Sequence, residues 1–193
     1  AAFKAADLGL SVALIDIDAE LGGVCLIRGC IPSKALLHVA RLLNEAREAG
    51  AWGVSYGEPD IDLSKLNGWK DSVVGKMTGG LRQLARARKI TCIEGRATFI
   101  DAHTLRVTGA ADAVQELSFE HAIIATGSRP TVIPTFDIGS DRVMDSTSAL
   151  ALRHLPKRLL VVGGGAIGLE LGTVYAALGT EVSVVEMLPG IIP

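Results

Sequence analysis

Arg158-Leu159-Leu160-Val161-Val162-Gly163-Gly164-Gly165-Ala166-Ile167-Gly168-Leu169-Glu170 is the stretch that decides the fold. Its apolar run reads as a strand buried on both faces of a parallel sheet. Gly163 to Gly168 reads as a turn, Ala166 to Leu178 as a helix stopped by Gly179, and Val182 to Glu186 as the next strand. Strand, turn, helix and strand make a βαβ unit. The turn fits G-x-G-x-x-G in the context that gives this pattern meaning, after a strand and opening a helix. The first glycine permits a tight turn, the second lets backbone approach a pyrophosphate, and the third lets helix pack on strand. The helix start at Ala166 and Ile167 offers free N–H groups and partial positive charge to phosphates. Glu186 closes the following strand about twenty positions on, where a carboxylate accepts from ribose hydroxyls and repels a 2′-phosphate. Met187-Leu188-Pro189-Gly190 supply no arginine to receive such a phosphate, so NAD is favoured over NADP.

The same design recurs at the other end. Ala2 to Leu8 reads as a helix stopped by Gly9, and Val12 to Ile15 as a buried strand that Asp16 ends. A parallel strand after a helix needs an earlier strand to return to. None precedes it, so a first strand and its turn are expected upstream, and the 193 residues read as an N-terminal fragment. The expected class is α/β, with two Rossmann-like dinucleotide-binding domains, both truncated. Residues 1–130 would form the first, 131–156 a linker holding several prolines, and 157–193 the start of the second. Between them a helix is expected over Ser33–Ala49, with Pro32 in its first turn and Gly50 just past its end. A second helix is expected over Asp71–Lys89, weakened by Gly75, Gly79 and Gly80. Strands follow at Ile90–Glu94, Ala97–Ile100, Leu105–Val107 and Phe119–Thr126, with a hairpin or exposed loop over Gly109–Glu116.

Composition bounds the partners. Apolar residues make up 49% and charged residues 21%, the balance of a globular chain. A net charge of −2 without a basic stripe leaves no reason to expect nucleic acid or anionic lipid. No run approaches the ~18 apolar residues of a membrane helix. Three cysteines without an export signal suit a reducing, cytoplasmic setting, where a close cysteine pair is catalytic or metal-binding more often than structural.

That pair is Cys25 and Cys30, within Leu21-Gly22-Gly23-Val24-Cys25-Leu26-Ile27-Arg28-Gly29-Cys30-Ile31-Pro32-Ser33-Lys34. Five positions apart on a regular helix is too far for a disulfide. Gly29 gives the backbone room to distort and bring the sulfurs together. Lys34 lies one turn beyond Cys30, and a cation near a helix start lowers a thiol pKa. Three readings stand side by side. A metal site needs about four ligands, and Cys92 is the only other cysteine. A structural disulfide does not suit the compartment. A redox-active pair suits both the segment and the setting and is the favoured reading, whereas Cys92 reads as a buried apolar thiol.

With these residues in hand, Gly22-Gly23-Val24-Cys25-Leu26-x-x-Gly29-Cys30-Ile31-Pro32-Ser33-Lys34 resembles the active-site segment of the pyridine nucleotide–disulfide oxidoreductases. It is most similar to their bacterial lipoamide branch. Ala35-Leu36-Leu37-His38, Thr78-Gly79-Gly80-Leu81, Ile124-Ala125-Thr126-Gly127-Ser128-Arg129-Pro130 and Gly163–Glu170 look like family segments in family order. The resemblance implies that FAD is held by Asp16, Leu21, Gly22, Gly23, Val24, Cys25, Lys34, Ala97, Thr126, Gly127 and Ser128. It implies an NAD site at Gly163, Gly164, Gly165, Ala166, Ile167, Gly168, Glu170 and Glu186. Cys25 matches the thiol that exchanges with substrate and Cys30 the one that contacts flavin. The implied reaction oxidises dihydrolipoamide carried on a lipoyl domain and serves a 2-oxo acid dehydrogenase complex core. The full-length protein would be a homodimer whose His–Glu base lies outside this chain. Alternatives are a sibling reductase of glutathione or mercuric ion, and a docking module without catalysis. Departures are Ile27 where Asn is common, Arg28 where a small apolar residue is usual, and Asp16 where Glu is common.

Overall fold

Helix and strand alternate as the apolar periodicities require. A computed structural model describes residues 1–192. The chain opens with α1 (Ala2–Asp7), β1 (Ala13–Asp16), α2 (Gly23–Arg28) and α3 (Cys30–Glu48). The long α4 (Leu63–Ala87) leads to β2 (Thr91–Glu94), β3 (Arg96–Phe99), β4 (Thr104–Thr108) and β5 (Val114–Ser118). A short α5 (Ser146–Leu150) precedes β6 (Arg158–Val162), α6 (Ala166–Ala177) and β7 (Glu181–Val185). The class is α/β. β1 pairs with β2 and β6 with β7, both parallel, while β3, β4 and β5 form an antiparallel sheet.

These elements gather into two compact units, residues 1–24 with 75–128 and residues 25–74 with 129 onward. In the first, the register Ala13↔Thr91 to Asp16↔Glu94 brings two acidic side chains to the carboxyl end of the parallel pair. Leu21, Ala85 and Ile90 are buried there, with Phe3, Ala6, Leu14 and Leu81 packed against them.

In the second unit α3 packs on α6. Leu36 and Ala40 share a buried cluster with Leu171, Val174 and Tyr175, whose rows repeat at helical spacing on each partner. Burial raises the pKa of the Tyr175 phenol, and its hydroxyl donates to the Ala149 carbonyl at 3.0 Å. Leu150 and Leu152 belong to the same core. The segment 131–156, expected as a linker, thus includes a helix that is core. Asp145 caps α5 by accepting from the Ser148 N–H at 2.7 Å. Its far end is held by two polar side chains of α4. Lys70 donates to the Leu150 carbonyl at 2.8 Å and Asn67 to the Leu152 carbonyl at 3.2 Å.

Other expectations are corrected. Phe119–Thr126 forms no strand; it bends at Glu120 and leaves Ile123 and Ile124 exposed, and none of the described strands offers it a ladder. Of the two readings of Gly109–Glu116, hairpin or exposed loop, the hairpin is the one present: Val114–Ser118 pairs with β4 across a turn at Ala110–Asp112. α4 begins eight residues before Asp71 and runs unbroken through Gly75, Gly79 and Gly80. At the end of α3 the chain tightens through Ala49–Trp52, so Gly53 rather than Gly50 takes the left-handed termination, at φ +84°. The segment Gly23–Trp52 is also long and apolar enough to cross a membrane by length and composition, contrary to the reading that no run is. Leu36 and Ala40 of this segment lie in the core of the unit.

Lys70 is 6% exposed, so replacing it by Met strands the Leu150 carbonyl without a donor. Lys70→Met should lower unfolding free energy by about 1–3 kcal/mol, read as a lower urea midpoint at unchanged slope. An unchanged midpoint would show that α5 is held by packing alone.

Candidate functional site

Cys25 sits in α2 and Cys30 is the first residue of α3. The two helices are separated by Gly29, whose φ −145° and ψ −116° break the axis as the spacing of the cysteines demands. Both cysteines, expected as a disulfide, are free and exposed thiols here. They are neighbours nonetheless. Hydrogen bonding with Cys25 is the main influence that pushes the Cys30 thiol above its ordinary value, followed by desolvation and the Cys25 charge; Lys34 opposes them. The expected lowering by Lys34 is present but outweighed. Arg28 ends α2, one helical turn from Cys25, where a cation also meets the negative end of the helix dipole.

Lys34 is committed to an ion pair. Its ammonium meets one carboxylate oxygen of Glu170, in the second turn of α6. Ser33 Oγ donates to the other oxygen, Oε2, at 2.6 Å. Hydrogen bonds from Lys34 first and Ser33 second lower the Glu170 pKa, keeping it ionised. Lys34 was singled out by its distance from Cys30; buried Ser33 was missed, and its place beside Lys34 in the first turn was the available signal.

The glycine turn lies at the other end of the first turns of α6. Gly163 has φ +107°, a left-handed conformation that an L side chain rarely adopts. A Cβ on Gly168 would clash with the Gly163 carbonyl oxygen and come 3.0 Å from Val161 Cγ1, so the helix rests on the strand only because the side chain is absent. Gly165 caps α6, leaving Ala166, Ile167 and Gly168 in its opening turn. Glu186, just past β7, accepts from the Leu188 N–H at 2.8 Å and the Gly164 N–H at 2.7 Å. These two bonds, in that order, depress its pKa.

In the other unit Asp16 ends β1 and accepts from the Asp18 N–H at 3.1 Å. Beside it, Ile17, Glu94, Gly95, Arg96, Thr108 and Gly109 line most of a cavity of ≈ 230 Å³. Sequence reasoning missed that lining, although the register of Asp16 with Glu94 follows from two strands ending together. Ala97 pairs with Val107 in the adjoining sheet. Gly127, at φ +72°, comes against the Val24 side chain within this unit. Cys92, expected to be buried, is exposed on β2, whose outer edge carries no strand among the described residues. No cluster of three metal-ligating side chains occurs among the described residues.

The family model for pyridine nucleotide-disulphide oxidoreductases matches residues 1–193. The chain belongs to that family. It is 51% identical over 193 residues to a dihydrolipoyl dehydrogenase of Haemophilus influenzae, covering 100% of this chain and 40% of the relative. A dihydrolipoyl dehydrogenase of Halobacterium salinarum is 48% identical over 195 residues, covering 100% and 41%. The chain therefore spans about 40% of the length of the curated relatives it matches. Among solved structures, LpdA from Mycobacterium tuberculosis superposes with a TM-score of 0.86 at 25% identity, covering 100% of this chain and 42% of that one. The flavoprotein disulfide reductase RclA of Escherichia coli, in a Cu(II) complex, gives 0.80 at 32%, covering 100% and 40%.

Gly168→Ala should lower the urea midpoint, by about 1–3 kcal/mol in unfolding free energy, because its new methyl meets backbone that cannot turn aside. Gly165→Ala, at an open position with ordinary φ, should leave the midpoint within about 0.5 kcal/mol. Equal effects at the two positions would mean that the close approach at Gly168 is not what holds the turn.

Proposed function

We propose that this chain carries the dithiol and nucleotide-binding parts of a dihydrolipoyl dehydrogenase. The observation that carries the reading is the adjacent Cys25 and Cys30 thiols at a helix break, in the same compact unit as the Gly163–Gly168 turn and Glu186. The half-reaction with substrate follows from thiol chemistry. A thiolate of dihydrolipoamide attacks Cys25 in the Cys25–Cys30 disulfide, forming a mixed disulfide and releasing Cys30 as thiolate. The second substrate thiol, deprotonated, attacks the substrate sulfur of that mixed disulfide. The substrate ring closes as a disulfide and Cys25 leaves as thiolate. Two electrons pass from substrate to the cysteine pair, and the substrate's two protons leave to base and solvent.

Residues fit both dinucleotides. Asp16, the cavity beside it, and the approach of Gly127 to Val24 suit FAD, with Ala97 in the adjoining sheet of the same unit. The side-chain-free turn at Gly163, Gly164 and Gly165, with the start of α6, suits the pyrophosphate of NAD. When bound, FAD supplies a two-electron acceptor for the dithiol and NAD⁺ a hydride acceptor. The chain's own part is to place the thiols, hold Lys34 on Glu170 and present Glu186 to a ribose. On this reading two Rossmann-like domains divide near residues 130–157. The active form is a cytoplasmic homodimer that meets lipoyl domains on a 2-oxo acid dehydrogenase complex core. A sibling glutathione or mercuric reductase is disfavoured by Glu186 and by the absence of an arginine in 187–190.

The complete protein should reduce NAD⁺ with dihydrolipoamide and prefer NAD⁺ to NADP⁺ by at least about tenfold in kcat/KM, since a 2′-phosphate would meet the Glu186 carboxylate. Turnover only with NADPH and another disulfide would overturn the lipoamide assignment, and binding to the acyltransferase core without turnover would mark a docking module. Cys25→Ser should retain flavin and lose at least about a thousandfold in dihydrolipoamide oxidation, because its hydroxyl cannot form the mixed disulfide. Full activity in that variant would remove Cys25 from the mechanism.

A further inference from the structure

Cys30, Ser33 and Lys34 occupy the first turn and a quarter of α3 and share one face of it. Glu170 comes to that face from α6 and is gripped at both oxygens, by Lys34 at Oε1 and by Ser33 at Oε2, 2.6 Å away. The Ser33 residue is 6% exposed, and its hydroxyl points from a packed backbone at a carboxylate whose side chain keeps 31% of its surface in solvent. An ion pair that open to water is weak and mobile by itself. The buried serine supplies what the pair lacks, a fixed second anchor. With it in place, the negative charge of Glu170 is held opposite the Lys34 ammonium, one turn from the Cys30 sulfur.

We infer that Ser33 is a positioning residue that, by fixing Glu170 against Lys34, sets how much of the Lys34 charge reaches the Cys30 sulfur. The inference rests on the proposed function only in taking Cys30 as a working member of the redox pair. The titratable groups that bear on that sulfur are Cys25 from α2 and Lys34 from its own helix, and Glu170 of α6 pairs with Lys34. Of the ionic groups among them, Lys34 favours the Cys30 thiolate and Glu170 offsets Lys34. Loosening Glu170 therefore leaves more uncompensated positive charge beside Cys30. The thiolate becomes easier to form, and the thiol that was held high comes down. The serine thus keeps Cys30 protonated over more of the pH range than a helix-start cysteine with a neighbouring lysine would be. No oxidant or further group is needed for this effect.

The test is a titration of Cys30 in the complete protein, reduced and carrying Cys25→Ser and Cys92→Ser in every variant. Thiolate ultraviolet absorbance is followed against pH, with a matching Cys30→Ser protein subtracted. Ser33→Ala should move the midpoint to lower pH, giving about threefold more thiolate at pH values below it, the size expected of a partly exposed ion pair. Glu170→Gln should shift it in the same direction by at least as much. Adding Ser33→Ala to Glu170→Gln should change nothing further, and Ser33→Thr, which keeps the hydroxyl, should restore the parent midpoint. An unchanged or raised midpoint in Ser33→Ala overturns the inference. So does a further shift in the Glu170→Gln background, since Ser33 would then act by packing or directly. The titration needs neither lipoamide nor nucleotide, so a failed turnover assay leaves its outcome readable.

Discussion

The packing of α3 on α6 is the constraint on which the second unit depends. One helix begins at Cys30 and the other at the glycine turn before Ala166. Leu36 and Ala40 meet Leu171, Val174 and Tyr175 along the shared face, and burial of this kind is worth ~25 cal/mol per Å² of apolar surface. Apolar contact alone fixes no register, because a helix slid by one turn finds a similar row of side chains. The polar contacts at the edges do fix it. Glu170 takes Ser33 and Lys34 at one end of the interface, and Arg47 donates to the Ala177 carbonyl at 2.8 Å at the other. With both ends pinned, the turn at Gly163 and the thiol at Cys30 have one relative placement within the unit.

What was legible in the sequence follows the same division between local and non-local forces. β6, α6 and β7 were read to within a residue or so because each is specified by its own neighbours: an apolar run, a turn that excludes side chains at Gly168, and a glycine to stop the helix. The break between Cys25 and Cys30 was legible for the same reason, Gly29 being the one residue there without a side chain to resist it. Phe119–Thr126 was misread because a strand is a property of two segments, and its apolar sequence carries no information about whether a ladder is available. The start of α4 at Leu63 was missed because Gly68 lowers helix propensity there by ~1 kcal/mol, a local penalty that the packing of Leu63 and Leu66 against the core overrides. Ser33 and the lining of the cavity beside Asp16 escaped because their significance lies in partners far along the chain, residue 170 for one and β2 for the other.

The same reasoning revises what the lysine beside the dithiol does. Spacing alone says that a cation one turn from a helix-start cysteine makes a ready thiolate. The fold supplies three terms the spacing omits: a sulfur neighbour at Cys25, an acid at Glu170, and a serine to hold that acid. The neighbouring sulfur dominates, and Cys30 ends above its ordinary value. A thiol whose pKa is raised is a poorer leaving group in exchange. Attack on the pair expels whichever sulfur is not attacked, so direction depends on which is exposed to substrate and how well the other bears charge. Both are exposed in this chain, and Arg28 lies a turn from Cys25. The order in which they act is therefore set by the charges fixed around each sulfur and by what covers it, and of those charges the Glu170 carboxylate is the one held in place by a buried hydroxyl.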